Sequence, residues 1–256
     1  MMTISLSEVS KRFNREWIFR NFSYKFTNAQ PYAITGPNGS GKSTLLQVIG
    51  GAIAMSEGTI TYTVGSSESG VGSRNTEYRI QNTEEKIQNP ASGIQHPASG
   101  IQHLEFNIPN KKHTEPIEID ADLAFKYISI AAPYLEVIEE MTAIEFLNFH
   151  RKFKPLLAGC TVEHIISVIG LEKAAHKQIR YYSSGMKQRI KLAQAIFSNT
   201  PVVLLDEPCT NLDEEGIRLY QHLIAGHCQN RLVIVSSNDI QEYEFCKEQI
   251  SIMDYK

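Results

Sequence analysis

The chain has 256 residues, 42% of them hydrophobic and 21% charged, and a formal net charge of -3. That length supports one large α/β domain with a substantial core rather than two full domains. The small net charge gives no electrostatic basis for binding nucleic acid, and no apolar run reaches the ~20 residues that cross a bilayer. The opening MMTISLSEVSKRF lacks the apolar centre of a signal peptide, so a cytoplasmic location is expected. Cys160, Cys209, Cys228 and Cys246 show neither CxxC pairing nor metal-ligand spacing and read as reduced thiols.

Apolar and polar residues alternate over 2–9 and 21–26, predicting two strands with a turn around Asn14. PYAIT, residues 31–35, is a third short strand, and GPNGSGKST follows it from Gly36 to Thr44. In a GxxxxGK[ST] loop, Gly36, Pro37, Asn38, Gly39, Ser40 and Gly41 turn backbone amides inward onto phosphate oxygens, an approach that side chains would block. Lys42 is placed to reach the β- and γ-phosphates of a nucleotide and the Ser43 hydroxyl to ligate Mg²⁺, and Thr44 completes the nucleotide-binding stretch. An ordinary glycine-rich turn is the alternative. The strand before the loop and LLQVIGG, a helix ended by glycine, after it supply the context that the motif requires.

GTITYTV, from Gly58, is a further strand with β-branched residues at alternate places. From about 65 to 120 the chain turns rich in Ser, Gly, Asn, Gln and Pro, and PASGIQH occurs twice, at 90–96 and 97–103. Two copies are too few for a solenoid, so a flexible insertion is predicted, with LEFNIP and PIEID as short strands at its far end. Duplication accounts for the matched surroundings of His96 and His103 without a ligand role.

FKYISIAA, residues 125–132, reads as a buried strand stopped by Pro133. Thr142 is a candidate N-cap for the amphipathic helix TAIEFLNFHRKF, and VEHIISVIGL follows Thr161 as a second helix. In YYSSGMKQRIKLAQAIF, Ser183 and Ser184 precede a helix whose Met186, Ile190, Ala193 and Phe197 form the core face, with Lys187, Gln188, Arg189 and Lys191 mostly facing away. PVVLLDEP is an apolar strand ending in Asp206 and Glu207. A helix over 217–224 and the strand RLVIVSS complete an alternating β/α series. Solvated acids capping a strand would be one explanation of the DE pair. Opposite a phosphate loop the pair suits nucleotide hydrolysis, with Asp206 supporting the metal through its water shell and Glu207 polarising the attacking water as general base.

On these residues the chain resembles the ABC-family ATPases, the ATP-binding subunits of ABC transporters, over nearly all its length outside 65–120. The resemblance implies an α/β P-loop NTPase fold of the ABC ATPase type. It would be a single domain over 1–256, with a mostly parallel core sheet, an antiparallel β subdomain and a helical subdomain over about 134–197. The family's Leu-Ser-Gly-Gly-Gln signature is represented by YSSGM, Tyr182 to Met186, which keeps Ser183 and Gly185 but substitutes Tyr182, Ser184 and Met186. A helix start with a hydroxyl and free amides is a second anion site. Two such sites on one chain imply a head-to-tail homodimer or paired ATPase subunit, each ATP held by one loop and the other copy's signature.

The resemblance also implies that Asp213 of TNLD lies in the loop crossing that interface. Phe13 falls where the family stacks an aromatic ring on adenine. Trp17 competes for that role, and core packing is an alternative for Phe13. Two departures stand out. SIAAPYLEVIEEMT has Ala132 and Pro133 where the family carries glutamine, and SSND has Asn238 where a histidine contacts the γ-phosphate. Binding of ATP and Mg²⁺ is therefore expected together with slow hydrolysis.

Separate transmembrane permease subunits are the implied partners, docking over about 133–146 and holding the protein at the inner face of the membrane. The end of the chain about 50 residues past Glu207 resembles the compact exporter-type subunits. A soluble ABC ATPase acting on a protein assembly, or a nucleotide-sensing subunit with little turnover, are the alternatives.

Overall fold

The structure, a computed structural model, describes residues 1–65 and 116–256. The PASGIQH copies, His96, His103 and LEFNIP lie outside the described residues.

Strands β1 (Met2–Phe13) and β2 (Glu16–Thr27) form an antiparallel hairpin turned at Asn14, whose φ of 52° suits asparagine's tolerance of left-handed backbone. Both run longer than the alternation predicts. A register shift after Leu6 carries the pairing past Glu8, and the Ser10 hydroxyl accepts the Asn21 amide at 2.9 Å across the irregularity. Beyond β1 lie β4 (Glu57–Val64) and then β5 (Ile117–Ile119), within PIEID, giving an antiparallel sheet of order β2-β1-β4-β5.

The second sheet is parallel throughout, in the order β6-β7-β8-β3-β9. Its strands are β3 (Tyr32–Thr35), β6 (Ile128–Ala131), β7 (Val202–Asp206), β8 (Leu232–Ser236) and β9 (Glu248–Ser251). All five residues of β7 and all five of β8 are buried, as expected of a parallel sheet covered on both faces. One face, with Ile34, Val202, Leu204 and Ile234, packs on helix α1 (Lys42–Ile49) and on Ile4, Phe19 and Phe22 of the antiparallel sheet. The other, with Ala33, Val203, Leu205 and Val235, packs under α2 (Ala143–His150), α3 (Val162–Val168), α4 (Ser184–Ile196) and α5 (Glu214–His227). Each fully buried Leu, Ile or Phe on these faces contributes about 1.5–3 kcal/mol.

Thr142 is the N-cap of α2 in a full capping box with Glu145, and Thr161 caps α3 through the His164 amide. Three expectations need correction. The predicted strand over 125–132 extends only over Ile128–Ala131. Residues Ala121–Tyr127 instead wind into a 3₁₀ turn capped by Asp120, which leaves Phe125 58% exposed. Gln188 does not face away from the core but is buried, its amide donating to the Pro208 carbonyl at 2.7 Å. The chain also continues past β8 into the short helix α6 (Ile240–Tyr243) and the edge strand β9, elements absent from the predicted series. All four cysteines are free thiols, and among the described residues no helix is long and apolar enough to cross a membrane.

Candidate functional site

The phosphate loop joins the C-terminal end of β3 to α1. Gly41, the residue before the helix, has φ 94°, and a Cβ there would collide with Ile18 Cγ2; at Gly36, a Cβ would stand 2.7 Å from Ile252 Cγ2. Only glycine permits this path. No side chain caps α1, so its first amides remain directed into the loop. Lys42 is buried, and its ammonium donates to the carbonyls of Gly36 (2.8 Å) and Pro37 (3.2 Å). Ser40 is buried as well, its amide bonded to the Pro37 carbonyl while its hydroxyl has no partner. These are the features of a cradle shaped for an anion.

Beside the loop, β7 delivers Asp206 and Glu207. The Asp206 side chain is buried and its Oδ1 has no hydrogen-bond partner. Burial holds this carboxyl above the ordinary carboxylate range, Ser43, Ser236 and Lys42 pull it back, and Glu207 adds to the rise. An orphaned carboxylate oxygen beside the Ser43 hydroxyl is a hard oxygen donor set, which fits Mg²⁺. Glu207 is half-buried with φ 43°, unusual for an L residue, and its amide donates to the Ser236 carbonyl at 2.9 Å. From the end of β8, Asn238 donates to Asn38 Oδ1 in the phosphate loop at 3.1 Å. Lys42, Ser43, Asp206, Glu207 and Asn238 thus come from β3–α1, β7 and β8 to the same end of the parallel sheet, where α/β sheets hold ligands.

The second predicted group lies elsewhere. Ser183 is the N-cap of α4, its hydroxyl accepting the Met186 amide at 3.3 Å, and Ser184 and Gly185 begin the helix. They line a cavity of about 550 Å³ together with Asp213, Arg189 and the 170–174 turn. Asp213 caps α5 through the Gly216 amide and faces Arg189 at 3.8 Å. No phosphate-loop residue lines this cavity.

Phe13 ends β1 with 48% of its surface exposed, which overturns the core-packing alternative; the Lys11 ammonium lies 4.8 Å from its ring centroid. Trp17 has the guanidinium groups of Arg12 and Arg20 over its ring, at 5.3 and 4.9 Å. Sequence reasoning does not single out Tyr134, which follows the Ala132–Pro133 departure. Parallel pairing of Ala131 with Leu205 brings that turn out beside Asp206. Partial burial of its hydroxyl end, then the Asp206 charge, raises the Tyr134 hydroxyl and the nearby Gln47 side chain pulls it back, while the residue as a whole stays 42% exposed. Its place in the chain, immediately after the position where the resemblance leads one to expect glutamine, is the one signal that could have pointed to it.

Residues 19–210 match the family described as ABC transporter. The chain is similar to the uncharacterized ABC transporter ATP-binding protein YybJ of Bacillus subtilis, 23% identical over 93% of this chain and 86% of that protein. It is also similar to the cytochrome c biogenesis ATP-binding export protein CcmA of Rhizobium johnstonii, 25% identical over 92% of this chain and 87% of that protein. Among solved structures, a putative ABC transporter ATP-binding protein from Pyrococcus furiosus superposes with a TM-score of 0.66 at 15% identity, over 99% of both chains. The dimeric bacterial ABC transporter cassette MJ0796 gives 0.64 at 20% identity, over 97% of this chain and 94% of that one.

Proposed function

The chain belongs to the ABC transporter family, and on that premise we propose that it binds Mg·ATP and hydrolyses it between two head-to-tail copies, driving separate permease chains. The observation that carries the reading is the convergence of Lys42, the unpartnered Asp206 oxygen, Glu207 and Asn238 at the helix start of α1. The exposed ring of Phe13 stacks on adenine. The amides of residues 36–44 receive the phosphates, and Lys42 exchanges its two loop carbonyls for the β- and γ-phosphate oxygens. Ser43 and Asp206 hold Mg²⁺, which when bound neutralises phosphate charge.

Glu207 accepts the proton of the attacking water as that water's oxygen approaches phosphorus in line with the leaving ADP oxygen. Asn238 hydrogen-bonds the γ-phosphate but cannot carry charge, so turnover is slow. Ser183, Ser184 and Gly185 of the second copy close over the γ-phosphate, with Asp213 crossing the interface. This places one copy's α4 opposite the other's phosphate loop, consistent with the absence of loop residues from the 183–185 cavity. The permease docks over about 133–146, where Tyr134 and Ile138 are exposed, and the protein sits at the inner membrane face. Glu207→Gln should lower ATP turnover by two orders of magnitude or more while leaving equilibrium ATP binding within about threefold. Equal turnover in the two proteins would remove Glu207 from its role, and wild-type binding without turnover would leave a nucleotide sensor.

A further inference from the structure

The turn that carries Glu207 is gripped by two side chains that belong to neither nucleotide-binding group. From one side, the buried Gln188 of α4 donates to the Pro208 carbonyl at 2.7 Å. From the other, the buried Glu242 of α6 accepts the Cys209 amide on its Oε1 at 2.6 Å. Glu242 is fixed in turn by the Tyr220 hydroxyl, which donates to its carbonyl at 2.7 Å, and by its own amide on the Asp239 carbonyl at 3.1 Å. Between the two grips, Glu207 holds its φ of 43°, a backbone region that L residues leave unless the surroundings fix them.

The connectivity gives the grips a meaning. Gln188 lies on the helix capped by Ser183, which meets the γ-phosphate held by the other copy, and Glu242 on the helix that follows Asn238, which meets the γ-phosphate of its own copy, so each grip leads back to one proposed γ-phosphate contact outside the loop. We infer that Gln188 and Glu242 are positioning residues that aim the Glu207 carboxylate from opposite sides and couple its aim to Ser183 and Asn238. This rests on the proposed role of Glu207 as the base for ATP hydrolysis. Neither residue touches substrate; both act through the 207–209 backbone. A small misplacement of the base is enough to cost about 10- to 100-fold in rate.

The test uses the full chain with Gln188→Met, which removes the donor, Glu242→Met, which removes the acceptor, and Glu242→Gln, whose amide oxygen still accepts the Cys209 amide. Three quantities are read: ATP turnover, equilibrium binding of ATP, and hydrogen exchange of the 207–210 backbone. Each Met variant is expected to lower kcat about 10- to 100-fold with ATP affinity held within about threefold. Exchange at the Cys209 amide should speed up in Glu242→Met, while Glu242→Gln restores both kcat and slow exchange. In a Glu207→Gln background the Met substitutions should lower the residual rate no further.

Unchanged kcat with accelerated exchange overturns the inference and leaves the Glu207 reading standing. Equal losses of kcat with and without Glu207 overturn it too, marking the grips as merely structural. Should Glu242→Met fail to fold, Gln188→Met carries the same decision from the α4 side. Wild-type protein that binds ATP but turns none over removes the proposed hydrolysis, and the positioning role with it, whatever the exchange shows.

Discussion

Glu242 offers a test of the buried wall behind the proposed site that does not depend on activity. The residue is 4% exposed, and burial pushes its carboxyl up to about 7 from an ordinary 4.5, with Ser237 and the Cys209 amide pulling it back and Asp239 and Glu207 raising it. A folded carboxyl that titrates at about 7 keeps its proton where the unfolded chain has lost it. The stability it contributes is therefore complete below about pH 4.5 and is lost as the pH rises to about 7. The size of the shift corresponds to about 3 kcal/mol, or about 6–12 °C in Tm for a chain of this length.

Glu242→Gln keeps the shape and the acceptor but cannot ionise. Thermal melts of the two proteins between pH 5 and 8.5 should start close together and separate as the pH rises, the variant becoming the more stable. The difference curve isolates this group from the other titrating groups, which the two proteins share. Parallel melting curves would refute the argument, because they would mean that the buried carboxyl ionises at no cost to the fold.

Phe13→Ala should raise the Kd for ATP about tenfold, a stacked ring being worth on the order of 1–3 kcal/mol, while Trp17→Ala changes it little; isothermal titration of the two variants separates the rings. Saturating ATP should stabilise the fold in the presence of Mg²⁺, by about 2.7 kcal/mol at a hundred times Kd, with a matching rise in Tm, and EDTA or Asp206→Asn should remove most of that gain. Stabilisation lost with EDTA but kept in Asp206→Asn would place the metal elsewhere, and stabilisation indifferent to both would leave the metal no part in it.

The parts of the site that the sequence shows are those whose chemistry is local. The phosphate loop needs glycines at fixed places, the buried run Val202–Leu205 can only be a central strand, and Thr142, Thr161 and Ser183 announce helices through their own side-chain caps. Relations over distance are not visible in this way. Gln188 looks like a solvent-facing polar residue in its helix. What buries it is a carbonyl twenty residues on, at a turn whose backbone only the tertiary fold specifies.

Glu242 is hidden for the same reason, its partner amide lying 33 residues back. β9 escapes detection because an edge strand of sequence EQIS buries only Ile250, too little for a hydrophobic pattern. The apolar run at 125–132 misleads in the opposite sense. Asp120 caps a 3₁₀ turn there, and strand geometry begins only where Ile128 meets Val202.

Complementation between two inactive subunits tests the central claim most directly. Lys42→Ala spoils the phosphate loop and Ser183→Arg spoils the helix start of α4, and each protein alone should be unable to turn over ATP. In a mixed pair, the intact loop of one copy meets the intact α4 start of the other, so one of the two sites is whole. An equimolar mixture of freely exchanging subunits should then recover about a quarter of the wild-type rate. A mixture as inactive as its components, beside an active wild type, would contradict the account that ATP is hydrolysed between two copies of this chain.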